Sequence, residues 1–207
     1  MLDWMTLDAD LRSNYHLEGT SNPLYTVMQS DKFYWVKGGL GYPWDIQLYD
    51  NNNIYLWITE LSWTVPDSYK KFTNNTNMPL VPRCASAGYP GTTIKVANTN
   101  YDLHTNCSQS CSVTLGLQNA INEVWGPYQL TVGGNLPANL KTLEISYRYN
   151  CDANQNCIDK EVYYVNQRYG LVQWVHYVFA NGSYAQMQKS VFNQLVAGVV
   201  TPYFPCF

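Results

Sequence analysis

The stretch YPWDIQLYDNNNIYLWITELSW, residues 42–63, constrains the fold more than any other part of the chain. Two runs of alternating apolar and polar residues flank Asp50-Asn51-Asn52-Asn53. Asn tolerates the positive φ of tight turns, so the polar cluster reads as a turn and the runs as paired β-strands. A loop of Asn51 to Asn53 sets Asp50 opposite Ile54 and Ile46 opposite Ile58. That register collects Trp44, Ile46, Leu48, Ile54, Leu56 and Ile58 on one face, and Asp45, Gln47, Tyr49, Tyr55, Trp57 and Thr59 on the other. A two-residue loop slips one strand by one position and mixes the faces, so the three-residue register is expected. One face is then core. The other carries rings and polar groups without aliphatic residues, a surface suited to stacking on a sugar or another flat polar ligand.

The rest of the chain extends the β reading. Strands are expected near Asn14 to Glu18, Phe33 to Lys37, Tyr69 to Phe72, Thr93 to Ala97, Tyr128 to Val132, Thr142 to Tyr149, Glu161 to Val165, Leu171 to Phe179 and Tyr184 to Phe192. The last two are joined by Asn181-Gly182, a strong hairpin signal that places His176 opposite Met187. From Pro66 to Cys111 the chain is long, polar and rich in proline, and cysteines are expected to staple it. One helix is expected at about 112–125. Ser112 or Thr114 can cap it, Val113, Leu117, Ala120, Ile121 and Val124 recur at helical spacing, and Gly126-Pro127 can end it. The fold class is therefore all-β: a two-sheet antiparallel sandwich or jelly roll with one α-helix, forming a single domain over 1–207.

Charge and cysteine usage bound the setting. Of the 207 residues only 13% are charged, the net charge is −3, and there are 18 Tyr and 7 Trp. So few cations leave no electrostatic footprint for nucleic acid or an anionic membrane surface. No stretch is long and apolar enough for a membrane span. The six cysteines, at 84, 107, 111, 151, 157 and 206, lie in loops without metal-ligand spacing and read as disulfides of an oxidising compartment. Cys151 and Cys157, around a polar turn, are the expected local pair. A secreted, extracellular chain is expected, with Met1 as a start added to a mature sequence.

Several side chains are candidates for chemistry. The ligand-binding set is Asp45, Gln47, Tyr49, Tyr55, Trp57, Arg148 and Trp174. The catalytic candidates are Asp45, Glu60, Glu144 and His176. Glycoside hydrolysis needs two carboxylates, about 5 Å apart for retention or roughly 6.5–9.5 Å for inversion, and Glu60 beside Trp44 is placed to have a raised pKa. A polysaccharide lyase needs a His or Tyr base, a Tyr acid and an Arg or Gln to neutralise a uronate; Gln173, His176, Tyr147 and Arg148 supply those types. Each also has a structural reading, as a strand-end carboxylate or a hydrogen-bonded core imidazole. Asp152, Asn154 and Asn156 have calcium-loop spacing. Cys157 in place of Gly and Tyr163 in place of Glu exclude an EF-hand and leave only a looser calcium site as a cofactor candidate. Asn74, Asn106 and Asn181 head N-x-S/T sequons.

Glu161-Val162-Tyr163-Tyr164, the run Tyr169 to Tyr177, and FYWVKGGLGYPWDIQLYD earlier in the chain resemble uncharacterised secreted proteins of soil bacteria. That resemblance spans most of the chain and implies secretion without a particular activity. The RxELR and QIH motifs of alginate-lyase-like jelly rolls are absent. The expected function is recognition of an extracellular polysaccharide or oligosaccharide, by binding it or, as a hydrolase or lyase, by cleaving it. The alternative is a structural or adhesive protein that assembles through aromatic surfaces.

Overall fold

A computed structural model describes the backbone of thirteen strands and the turns within 112–166 and 169–197. Side chains are described for 70–72, 100–105, 112–116, 119–166, 169 and 171–193. The strands are β1 (Tyr15–Gly19), β2 (Pro23–Gln29), β3 (Lys32–Lys37), β4 (Pro43–Tyr49), β5 (Asn53–Glu60), β6 (Tyr69–Phe72), β7 (Met78–Pro82), β8 (Thr92–Thr105), β9 (Ser112–Leu130), β10 (Leu140–Cys151), β11 (Cys157–Asn166), β12 (Gly170–Ala180) and β13 (Ser183–Ala197).

Their order is β4-β3-β2-β1-β13-β12-β11-β10-β9-β8-β6-β5-β7, and β4 also pairs with β5, so the antiparallel ladder returns on itself. Where side chains are described, the fold is all-β, with two antiparallel sheets of three and five strands, consistent with a β-sandwich. β9 through β13 pair in succession as the larger, five-stranded sheet, and β8 and β6 continue the hydrogen-bonded ladder beyond β9.

The core lies on the inner face of the larger sheet. Leu143 and Ile145 of β10, Tyr163 and Val165 of β11, Trp174 of β12 and Val124 of β9 are all buried, joined by Phe72 from β6. Phe72 meets its cross-strand partner Tyr101 of β8 edge-on at 6.3 Å between ring centroids, and both rings pack against this core. Deleting a buried aliphatic chain such as Ile145 removes transfer energy and leaves a cavity, a cost of about 2–5 kcal/mol.

The expected helix at 112–125 is a strand. Ala120, Asn122 and Val124 pair with Tyr149, Tyr147 and Ile145 on the inner face, while Ile121 pairs with Arg148 on the outer one. Ala120, Ile121, Asn122 and Val124 are nonetheless all buried. A strand covered on both faces loses the period of two, and its apolar positions then imitate helical spacing. Gly126-Pro127 is a strand irregularity here: the register shifts between Thr142 and Glu144, and Gly126 has φ +108°.

Two hairpin registers also depart from simple alternation. At β4–β5, Asp45 pairs with Thr59 and Ile46 with Ile58 as expected, but Gln47 then pairs with Leu56 and Tyr49 with Ile54. Trp57 is therefore the extra residue of a bulge and is not opposite Gln47. At β12–β13 the turn is as expected, with Asn181 at φ 51° and Gly182 at φ 82° in the two-residue hairpin geometry. Beyond it His176 pairs with Gln188, and Met187 is bulged and exposed. Neither β2 nor β7 is foreseen in the sequence, because Pro23 and Pro79 read as punctuation. Pro23 opens β2, and β7 pairs only with β5, the positions where a strand tolerates proline.

The β9–β10 loop provides a test of this packing. Gly134, at φ +64°, lies so close to β13 that an added Cβ would fall 2.2 Å from the Asn193 carbonyl oxygen. That oxygen already accepts the Asn135 N–H at 2.9 Å. Gly133, at φ +90°, has nothing within 4 Å of its added Cβ. Gly133→Ala should cost about 1–2 kcal/mol from backbone strain. Gly134→Ala should cost clearly more in urea denaturation; equal costs would contradict this loop placement.

Candidate functional site

Direct cross-strand pairing fixes which side chains share a face. Tyr147, Glu161 and His176 are paired in one row across β10, β11 and β12; Tyr149, Asp159 and Val178 form the next row, and Ile145, Tyr163 and Trp174 the previous one. These belong to the inner face, so the apolar core gives way at one end to a polar cluster.

Glu161 is the centre of that cluster. Its Oε1 accepts the Tyr149 hydroxyl at 3.0 Å, and its Oε2 accepts the Tyr163 hydroxyl and the Trp174 indole N–H, the latter at 2.9 Å. Asp159 lies two residues away on the same face. Its Oδ2 accepts Asn150 Nδ2 at 2.6 Å, and its Oδ1 lies 3.3 Å from His176 Nε2. Lys70 of β6 approaches from the opposing sheet, with its ammonium 5.0 Å from the Tyr101 ring centre. Burial pushes Lys70 below the usual lysine value, against the opposing pull of Asp159 and Glu161. Burial, reinforced by the same two carboxylates, holds the Tyr149 phenol well above its ordinary range.

The outer face of the same sheet carries aromatic and charged residues on either side of a buried row, Ser146, Val162 and Val175. Trp125, Glu144, Tyr164 and Gln173 form one row across β9 to β12, and Ile121, Arg148, Lys160 and Tyr177 form another. Arg148 Nη2 pairs with Glu123 Oε1 at 2.9 Å. Lys160 lies over Tyr177 and Tyr184, with ring centres at 5.5 and 5.7 Å. The Tyr184 hydroxyl donates to the Cys157 carbonyl at 2.8 Å. Trp125 is 40% exposed, and Tyr128, opposite Thr142 at the end of the sheet, is 46% exposed. The Tyr164 hydroxyl bonds to Glu144, and burial first, then that carboxylate, raises its pKa.

The sequence candidates are thereby divided. His176 and Trp174 belong to the inner cluster, where Trp174 is buried and commits its N–H to Glu161. Glu144 and Arg148 lie on the outer face, so Glu144 and His176 are not brought together. The lyase set splits in the same way: Tyr147 and His176 are inside, Gln173 and Arg148 outside. Asp45, Gln47, Tyr49, Tyr55, Trp57 and Glu60 lie on β4 and β5, and their side chains are outside the described residues.

Asp152, Asn154 and Asn156 do converge in the turn closed by the Cys151–Cys157 disulfide. There Asp152 Oδ1 accepts the backbone N–H groups of Asn154 and Asn156 at 2.8 and 2.9 Å, and Oδ2 accepts Asn156 Nδ2 at 3.0 Å. These bonds, led by Asn156, hold the exposed carboxyl below its usual pKa and satisfy it with amides. Among the described residues no group of three His, Cys, Asp or Glu side chains could hold a metal ion. No cysteine there is free, and no helix is long and apolar enough to cross a membrane. Cys84, Cys107, Cys111 and Cys206, with the sequons at Asn74 and Asn106, lie outside the described residues.

Sequence reasoning passed over Asp159 and Glu161. Their spacing of two in a strand, which sets both carboxylates on one face, was the available signal. Such a pair stands near the separation used by inverting glycosidases, roughly 6.5–9.5 Å. All four of its carboxylate oxygens, however, already face protein partners, and this favours a structural role.

Glu161→Ala would orphan three donors and should cost roughly 2–4 kcal/mol, whereas Tyr149→Phe should cost about 1 kcal/mol. Losses below about 0.5 kcal/mol for both in chemical denaturation would contradict the clamp. An alkaline limit follows from Tyr149 and Tyr164. The folded chain keeps their protons where the unfolded chain releases them, so this stability is full below about pH 10 and is lost as pH rises further. Phenolate absorbance should show these two titrating only on unfolding; full reversible titration of every tyrosine in the folded state would contradict it. No protein family, curated protein or solved structure matches the chain.

Proposed function

We propose that this chain is an extracellular β-sandwich protein that binds polysaccharide on the outer face of its five-stranded sheet. The observation that carries this reading is the pair of exposed rings, Trp125 and Tyr128, on the same face as Glu144 and Tyr164. An aromatic ring offers its face to the C–H side of a pyranose, while carboxylate and phenol oxygens bond its hydroxyls. The Cys151–Cys157 disulfide and the low cation content agree with an extracellular setting. Binding is preferred to cleavage, because the inner carboxylates are saturated and Glu144 stands apart from them.

A second reading, assembly through surface contacts, is favoured by exposed Val113, Leu115, Phe179 and Met187. Sedimentation across a range of concentrations separates the two.

Trp125→Ala and Tyr128→Ala should each weaken binding to a responsive polysaccharide several-fold, since stacking contributes about 0.5–1.5 kcal/mol beyond area burial. Phe179→Ala, at the far end of the face, should leave affinity unchanged. Isothermal titration after a glycan-array screen reads this. Equal affinity in wild-type protein and both Trp125 and Tyr128 variants would overturn the outer-face assignment.

A further inference from the structure

Among the described residues, the outer face holds a carboxylate without a paired cation. Glu144 is half-buried and bonds the Tyr164 hydroxyl, and among the described residues it makes no ion pair. The nearby cations are committed elsewhere: Arg148 to Glu123, and Lys160 over the Tyr177 and Tyr184 rings. Glu144 is directly opposite Trp125 on one side and Tyr164 on the other, and Tyr128 lies beyond the β9 bulge on the same face. After burial, its charge is the largest influence that raises the Tyr164 and Tyr177 phenols, so its field falls across the patch.

A carboxylate with no ion-pair partner among the described residues, set beside aromatic rings, is a recognition set for an ammonium group. The carboxylate supplies the counter-charge, and the negative faces of the rings attract the same cation. A neutral sugar uses the carboxylate only as a hydrogen-bond acceptor, an ammonium also balances its charge, and a uronate is repelled by it. The net charge of −3 favours approach of a polycation in the same sense.

We propose that Glu144, Trp125, Tyr128 and Tyr164 form a subsite for the protonated amino group of an amino sugar, so that the glycan recognised is cationic and free of N-acetyl groups. This rests on the glycan-binding reading above.

The test compares three probes by isothermal titration at neutral pH: a glucosamine oligomer, the N-acetylglucosamine oligomer of equal length, and choline as a non-sugar ammonium. The glucosamine oligomer should bind at least tenfold more tightly than the acetylated one, and its affinity should fall as pH rises through deprotonation of the amine. Glu144→Gln retains an acceptor for Tyr164 and should erase that tenfold preference. Equal binding of the two oligomers, or an unchanged preference in Glu144→Gln, overturns the ammonium subsite and leaves glycan binding standing. Choline binding as tightly as the glucosamine oligomer keeps the ammonium chemistry and overturns the sugar as its source. If no probe binds, the ammonium subsite is overturned, and failure of every glycan in the wider array then overturns the parent reading as well.

Discussion

The hydrogen bonds to Glu161 set the limit of the apolar core. Three donors from three adjacent strands, Tyr149 on β10, Tyr163 on β11 and Trp174 on β12, meet on one carboxylate. On one side of it along β11, Tyr163 and Val165 pack with Leu143, Ile145 and Phe72. On the other, Asp159, His176 and Lys70 form a polar end. A carboxylate on a core face is tolerable only when its oxygens are satisfied, and here the donors that satisfy it also fix the rotamers of three large rings. The result is a joint across the middle of the five-stranded sheet.

The two faces of that sheet are consequently different in kind. Inside, the four oxygens of Glu161 and Asp159 all close on protein partners, and little capacity remains on either carboxylate for a ligand. Outside, Arg148 is balanced by Glu123, but among the described residues no cation balances Glu144, and two rings beside it are exposed. Residual hydrogen-bonding and charge capacity beside exposed aromatic surface is what a binding site requires.

Much of the strand pattern was legible because local chemistry decided it. Asn181-Gly182 specified its hairpin through the positive φ both residues adopt, and Cys151 with Cys157 closed a turn whose ends are directly paired. The alternation of β10 separated Leu143, Ile145 and Tyr147 from Glu144, Ser146 and Arg148 as expected. What failed was everything set by neighbours distant in sequence. Burial of Ala120, Ile121, Asn122 and Val124 on both faces of β9 concealed its period. The bulges at Trp57 and Met187 shift partners by one without any compositional mark. Glu161 looked like a routine strand residue because its donors come mostly from other strands, and Trp174 looked available until its N–H was seen to be committed.

The central claim is this division between a closed inner face and a receptive outer one, and the indole N–H signals report on it directly. Trp125 and Trp174 lie on opposite faces of the same sheet, so a two-dimensional nitrogen–proton spectrum recorded during titration with a binding oligosaccharide reads both at once. The Trp125 signal should shift progressively with ligand while the Trp174 signal, held by Glu161, stays in place. A shift of Trp174 with Trp125 unmoved would contradict the account and locate the site in the inner cluster.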